Sequence, residues 1–276
     1  MHSYLAKYLD DLSGCTIIRR DEEKIIVKAP AANDEMAALF VKIYIHDDLG
    51  SRLRNALRGK TSGKRDLQVA TKLKELGIQV PKPVGYCDNR SNVFMATKSL
   101  FAAHWLESMS LAVLINGILR PATFKRKTGA NEAIAPLMKK SGFRALCSGI
   151  GGFVAALHNK EIYAEDLNVG NLLMDISASD APEIFLTDYE NTCFEKRVDR
   201  RKSLNNIIQV CAALMQVDES ADVAFCSGYA EIRPRFNVFG LQEHIRKKAR
   251  RRRALWKEKI DGNFNRIAEE LKGRKA

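Results

Sequence analysis

Residues 157–175 read LHNKEIYAEDLNVGNLLMD, and residues 183–192 read EIFLTDYENT. The first segment predicts a helix end, a polar loop holding Asp166 and Asn171, and a short apolar strand over Leu172–Met174. The second predicts a strand over Ile184–Thr187 that ends on Asp188. Two short strands joined by a turn would bring Asn171 and Asp188 together, each at a strand edge. An Asp and an Asn supply hard oxygens, which suit Mg²⁺ completed by phosphates and water. Asp166, five positions before Asn171, could then accept a proton from a hydroxyl. A metal clamp, a base and a lysine on the phosphates are what phosphoryl transfer needs. Lys42, at the centre of the apolar strand FVKIYI, is the candidate lysine, because a cation at such a position needs a partner if it points inward.

Working outward, residues 14–45 alternate as strands. CTIIRR and KIIVKA flank Asp21-Glu22-Glu23 as a hairpin, and LFVKIYI follows. The basic stretch LGSRLRNALRGKTSGKR leads into DLQVATKLKEL, where Leu67, Ala70, Leu73 and Leu76 recur at helical spacing and Gly77 stops the helix. IQVPKPVGYC and SNVFMATKSL predict two more strands. From about residue 105 the chain reads as mainly helical. FRALCSGIGGFVAALH over 143–158 is one helical run, weakened by Gly149, Gly151 and Gly152. Residues 120–141 read as a basic loop.

The chain has 276 residues, enough for one large domain or two lobes, and its 46% hydrophobic content excludes wholesale disorder. Lys and Arg number 45 against 33 Asp and Glu, a formal charge of +12, which predicts attraction to polyanions without choosing among them. Asp10 and Asp11 fall where a signal peptide needs an apolar core, and the apolar run at 109–119 is too short to span a bilayer. The six cysteines show no CxxC spacing, so zinc is not expected and the thiols are expected to be reduced in the cytoplasm.

These residues resemble a known family. D-L-N-V-G-N at 166–171 is similar to the D-x-x-x-x-N catalytic loop of protein-kinase-like enzymes, T-D-Y-E at 187–190 to their D-F-G metal loop, and FVKIYI to their V-A-I-K strand. The closer resemblance is to bacterial lipopolysaccharide core kinases, which phosphorylate heptose or 3-deoxy-manno-octulosonic acid (Kdo). It rests on Lys42-Ile43-Tyr44, the basic run Arg52 to Arg65, and GIQVPKPVGY at 77–86, and covers about residues 14–215. Three departures stand in the sequence. No G-x-G-x-x-G precedes Lys42, the usual His-x-Asp is Ala164-Glu165-Asp166, and the acid expected on the helix after Lys42 is Asp66 rather than a glutamate. Ser62-Gly63-Lys64 is not a phosphate loop.

The resemblance implies an α+β, two-lobed kinase fold, with a small lobe over 1–97 and a larger helical lobe over 98–276. It implies ATP and Mg²⁺, with Asp166 as base, Asn171 and Asp188 on the metal, and Lys42 on the α- and β-phosphates, paired with Asp66. The hinge is expected near Thr97-Lys98-Ser99, with Met95 as its gate, so that Met95 and Lys98 would also border the nucleotide. The favoured acceptor is a sugar hydroxyl of the lipopolysaccharide inner core. Protein Ser/Thr phosphorylation, phosphorylation of a small molecule such as an aminoglycoside, and a catalytically dead nucleotide-binding module are the alternatives. A nucleic-acid partner is supported by charge alone and would not need Asp166, Asn171 and Asp188 in this order. His158 reads as a packing or capping residue.

The C-terminal stretch carries RKKARRRR at 246–253, then Trp256, Ile260, Phe264, Ile267 and Leu271 on one helical face interrupted by Gly262. That face either packs on the large lobe, leaving the arginines solvated, or the basic segment docks at an anionic membrane surface. The second reading would place the protein in the cytoplasm, peripheral at the inner face of the inner membrane.

Overall fold

The computed structural model describes residues 2–31, 37–90, 96–119, 140–175 and 182–254. Met95, the stretch 120–139 and the apolar face beyond Arg253 lie outside the described residues. The chain forms two compact units, residues 1–108 with 185–192, and residues 109–184 with 193–276.

In the first unit, helix α1 (His2–Asp10) precedes strands β1 (Thr16–Arg20), β2 (Lys24–Ala29) and β3 (Leu39–Ile45), then helices α2 (Leu49–Leu57) and α3 (Ser62–Glu75), and strands β4 (Pro83–Arg90) and β5 (Ala96–His104). The strands form one antiparallel sheet in the order β1-β2-β3-β5-β4. Asp21 makes the first hairpin turn, its Oδ1 accepting the backbone N–H of Glu23 and of Lys24. Side chains alternate across the sheet, so each strand serves two faces. Val27, Val41, Ile43, Leu100 and Ala102 form one apolar layer with Leu5, Tyr8 and Leu9 of α1. The opposite face carries Lys42, Tyr44 and Phe101, the last edge-on to Tyr189 at 5.9 Å.

Helix α3 begins at Ser62, five residues before the apolar periodicity starts, because Thr61 caps it by accepting from Lys64 N–H. Gly63 has a packing role. A Cβ there would lie 2.3 Å from the carbonyl oxygen of Leu100, so the helix start rests on the backbone of β5. Thr97, Lys98 and Ser99 are strand residues within β5, which stays paired to His104. A boundary at 97–98 would cut that strand in two, and the division falls after Ser108 instead.

The second unit is mainly helical. Its described helices are α4 (Leu111–Leu119), α5 (Lys140–Asn159), α6 (Arg200–Leu214), α7 (Ala221–Ile232) and a stretch over 242–254, here α8. Strand β6 (Met109–Ser110) pairs with β8 (Leu172–Asp175), β7 (Ile162–Ala164) leads into the polar loop, and β9 (Glu183–Leu186) carries the chain back toward the first unit. Helix α5 runs unbroken through its glycines. A Cβ on Gly151 would sit 2.0 Å from Phe225 O, and one on Gly228 would sit 1.9 Å from Ser148 O. The two helices therefore cross backbone to backbone, and this packing offsets the weak helix propensity of glycine. Gly151→Ala is expected to destabilise the protein by about 2 kcal/mol, read as a lower urea midpoint at unchanged slope. An unchanged midpoint would show that the helices can part without cost.

Candidate active site

Within the first unit, Lys42 is 3% exposed and meets three carboxylates. Its Nζ donates to Asp188 Oδ1 at 2.7 Å and lies 3.1 Å from Glu190 Oε1 and 3.6 Å from Asp66 Oδ2. Tyr44, two residues along β3 and so on the same face, donates its hydroxyl to Asp66 Oδ2 at 2.5 Å. Lys24, opposite Tyr44 on β2, donates to Glu190 Oε1 at 2.9 Å. A buried ammonium survives because it is paired on several sides.

The electrostatics follow from that packing. Burial pulls the Lys42 pKa down, but Asp66, Asp188 and Glu190 together leave it above the ordinary lysine value. Burial lifts Asp66 to about 6 against the pull of Lys42 and the Tyr44 hydroxyl. Burial also lifts Glu190, yet Lys42 and Lys24 bring it down to about 2. Asp66 is thus the member of the cluster poised to change charge near neutrality. Below pH about 6 it takes a proton and its Coulomb hold on Lys42 is lost, while Glu190 stays ionised. The rate is expected to fall on the acid side with a limb near pH 6. In Asp66→Asn that limb should disappear and the rate at pH 8 should be lower by about 10²-fold, as expected for a misplaced phosphate anchor. A pH–rate profile of the variant that keeps the limb would assign it to another group.

Asp188 sits in left-handed backbone, φ 59° and ψ 73°, just before a 3₁₀ turn over Tyr189–Asn191. Its side chain is 38% exposed. With Oδ1 on Lys42, its Oδ2 takes no hydrogen bond among the described residues. One open carboxylate oxygen beside a buried lysine suits an ion that arrives with phosphate oxygens. It does not suit an all-protein metal cage, and no group of three or more His, Cys, Asp or Glu that could hold a metal is found among the described residues.

In the second unit, Asp166 and Asn171 share one loop. Asp166 is exposed. Asn171 donates its side-chain amide to Asp166 O at 2.9 Å and its backbone N–H to Asn168 O at 3.0 Å. The amide nitrogen is committed to the loop. Asn206 of α6 donates to Ala164 O at 2.7 Å, and Gln209 donates to Glu165 O at 3.2 Å. These two residues hold the backbone of the Ala164-Glu165-Asp166 segment. His158 is buried between Tyr229 OH (2.9 Å) and Asn206 Oδ1 (3.1 Å), and burial lowers its pKa to about 4. It is a neutral brace for Asn206, in keeping with a packing role.

The structure thus brings Lys42, Asp66 and Asp188 into one cluster, and Asp166 and Asn171 into one loop. Lys98 is elsewhere. Three residues from Phe101, it points to the other face of the sheet, where its Nζ donates to Leu9 O at 2.8 Å in the last turn of α1. Its place by the nucleotide is therefore not supported by the geometry. Met95 lies outside the described residues. Tyr44 and Glu190 stand in the sequence reading only as parts of the Lys42-Ile43-Tyr44 and T-D-Y-E motifs, and Lys24 only within KIIVKA, with no role of their own, and Asn206 and Gln209 do not stand in it at all. The signals that could have found them are the Lys42–Tyr44 spacing, the acid two positions after Asp188, and the polar pair Asn206 and Gln209 inside an apolar helix.

Comparison with known proteins agrees with these features. No curated protein matches the chain. A solved structure described as "WaaP in complex with acyl carrier protein" matches with a TM-score of 0.58 and 14% identity, over 90% of this chain and 91% of that one. In all, 876 solved chains match, so the fold by itself does not select a substrate. The family description "Lipopolysaccharide kinase (Kdo/WaaP) family" matches residues 24–229, which contain every clustered residue above. The chain belongs to that family, and it is a phosphotransferase that acts on a hydroxyl acceptor of lipopolysaccharide.

Proposed function

We propose that the protein transfers the γ-phosphoryl group of ATP, as its Mg²⁺ complex, to a sugar hydroxyl of the lipopolysaccharide inner core, on heptose or Kdo. The observation that carries this reading is the buried Lys42 held by Asp188 and Asp66, a prebuilt anchor for phosphate oxygens. Asp66, with Tyr44 on its oxygen, keeps the ammonium in place. Asp166 accepts the proton of the acceptor hydroxyl as that oxygen attacks phosphorus. Asn171 and Asp188 are the residues that would hold the divalent ion. When bound, the ion neutralises charge on the phosphoryl oxygens. The cradle for the phosphates comes without a glycine-rich loop, so Lys42 would carry more of that work.

No helix among the described residues is long and apolar enough to cross a membrane. Work on a lipid-linked acceptor then takes place at the inner face of the inner membrane, with the protein held peripherally. The test is ATP consumption with purified acceptors truncated in steps, one set ending at Kdo and one extended by heptose, beside a generic protein substrate. Turnover that appears only when heptose is present assigns heptose, and turnover on the shorter acceptor assigns Kdo. Equal turnover on the protein substrate would overturn the reading.

A further inference from the structure

The arginines of α8 are sorted onto opposite sides. Arg246, Arg250 and Arg253 recur at spacings of four and three, one helical face, and that face is consumed inside the second unit. Arg246 binds the fully buried Asp222 at 3.0 Å, and Arg250 and Arg253 each bind Glu219 at 2.6 Å. Ile245 and Ala249 are buried beside them. Lys248, Arg251 and Arg252 lie about half a turn away around the helix. There they line a groove of about 980 Å³ together with Arg200, Arg201 and Lys202 of α6.

Six cations thus converge on one groove, against two carboxylates in its lining, Glu165 and Asp199. Asp199 is already used as the helix cap, accepting from Lys202 N–H at 2.8 Å, and Lys202 is bonded to Glu195. Among the described residues Arg200, Arg201, Lys248, Arg251 and Arg252 have no ion-pair partner. Arg200, Arg201 and Lys202 also occupy the first turn of α6, where the helix dipole disfavours positive charge. Such an arrangement is self-repelling unless an anion fills it.

The groove also touches the reaction loop. Tyr163 and Glu165 line it, and Asp166 is the next residue. The Tyr163 ring is braced by Asn205, which donates to its hydroxyl at 3.0 Å, and by the Lys202 ammonium 5.4 Å from the ring centre. An aromatic ring among cations suits a sugar that carries anionic groups.

We infer that the groove formed by the first turn of α6, the outer face of α8 and Tyr163 is an acceptor-recognition site, which binds phosphate or carboxylate groups on sugars adjoining the hydroxyl presented to Asp166. This rests on the proposed sugar-kinase reading. Convergence on a concave groove, rather than spread over a flat face, favours a headgroup held by the protein over docking on a bilayer plane.

The test uses the full chain and two double variants of exposed residues, Arg200→Gln/Arg201→Gln and Lys248→Gln/Arg251→Gln. The probe is a deacylated lipopolysaccharide core oligosaccharide that keeps its phosphates, with a phosphatase-treated twin. Binding is measured by calorimetry without ATP. Each double variant is expected to bind the phosphorylated probe roughly five- to tenfold more weakly, as two exposed charge contacts allow. The treated twin, which keeps its carboxylates, is expected to bind the wild type more weakly and to lose less affinity in the variants. With the intact acceptor, KM for the acceptor should rise while KM for ATP does not. Wild-type affinity in both variants would overturn the inference. So would a loss confined to phosphatidylcholine vesicles containing phosphatidylglycerol, which would make the groove a membrane contact. The binding arm needs no turnover. Phosphate-dependent binding without phosphorylation would sink the kinase reading and leave the groove standing, and phosphorylation with unchanged acceptor KM in the variants would do the reverse.

Discussion

Asp166→Ala is expected to lose phosphoryl transfer by about 10²- to 10⁴-fold, the usual contribution of a general base, while nucleotide affinity holds. The loss should fall on kcat and on kcat/KM for the acceptor, because in the proposed mechanism the carboxylate serves the acceptor hydroxyl and not ATP. The fold should be unaffected, since the carboxylate is exposed and the loop is held through backbone groups, by Asn206 on Ala164 O and by Gln209 on Glu165 O. Single-turnover rates beside nucleotide binding by fluorescence separate the two effects. Near-normal turnover would remove Asp166 from the mechanism.

Asp188→Asn is expected to be similarly severe, on the order of 10²-fold or more, and to raise the Mg²⁺ concentration needed for half-maximal rate. The substitution keeps shape and hydrogen-bonding length while deleting one charge. Asparagine also accepts the left-handed backbone that position 188 adopts, so strain does not confuse the result. Two consequences would combine, since the negative charge would be lost both from the proposed ion ligand and from the 2.7 Å ion pair with Lys42. Asn171→Ala removes a neutral oxygen and should be the milder of the two. Magnesium titrations unchanged in both variants would mean that the ion, if used, is held by other groups.

Much of this arrangement was legible in the sequence, for reasons tied to particular residues. The strands of the first unit announce themselves by alternation, and a lysine inside FVKIYI demands a partner. The loop residues Asp166 and Asn171 stand out because polar groups at fixed spacing interrupt apolar runs. The sequence does not announce helix α1, because Leu5, Tyr8 and Leu9 lie at helical spacing but the run is short and ends at the acidic pair Asp10-Asp11. Helix α2 was hidden in a basic stretch, and its Leu49, Leu53 and Leu57 stripe is exposed, so burial could not have supported it. The side to which Lys98 points depends on strand register, and one residue of shift exchanges the two faces. The division of the basic segment into a neutralised and an open side depends on where Asp222 and Glu219 fold, which is tertiary information. The glycines of α5 read as weakness in one dimension and proved to be the contact surface with α7.

Gly63 bears on the length of an acid. The expected partner of the phosphate lysine is a glutamate, and here it is Asp66, shorter by one methylene. Three residues earlier on the same helix, the missing side chain at position 63 lets the backbone of α3 lie against that of β5. The helix start lies against the strand, and the shorter carboxylate comes within ion-pair range of Lys42, at 3.6 Å. A steric allowance at one residue thereby bears on an electrostatic distance at another. A residue with no functional group is in this sense part of the reaction machinery, and a survey of the chain for reactive side chains alone would pass it by.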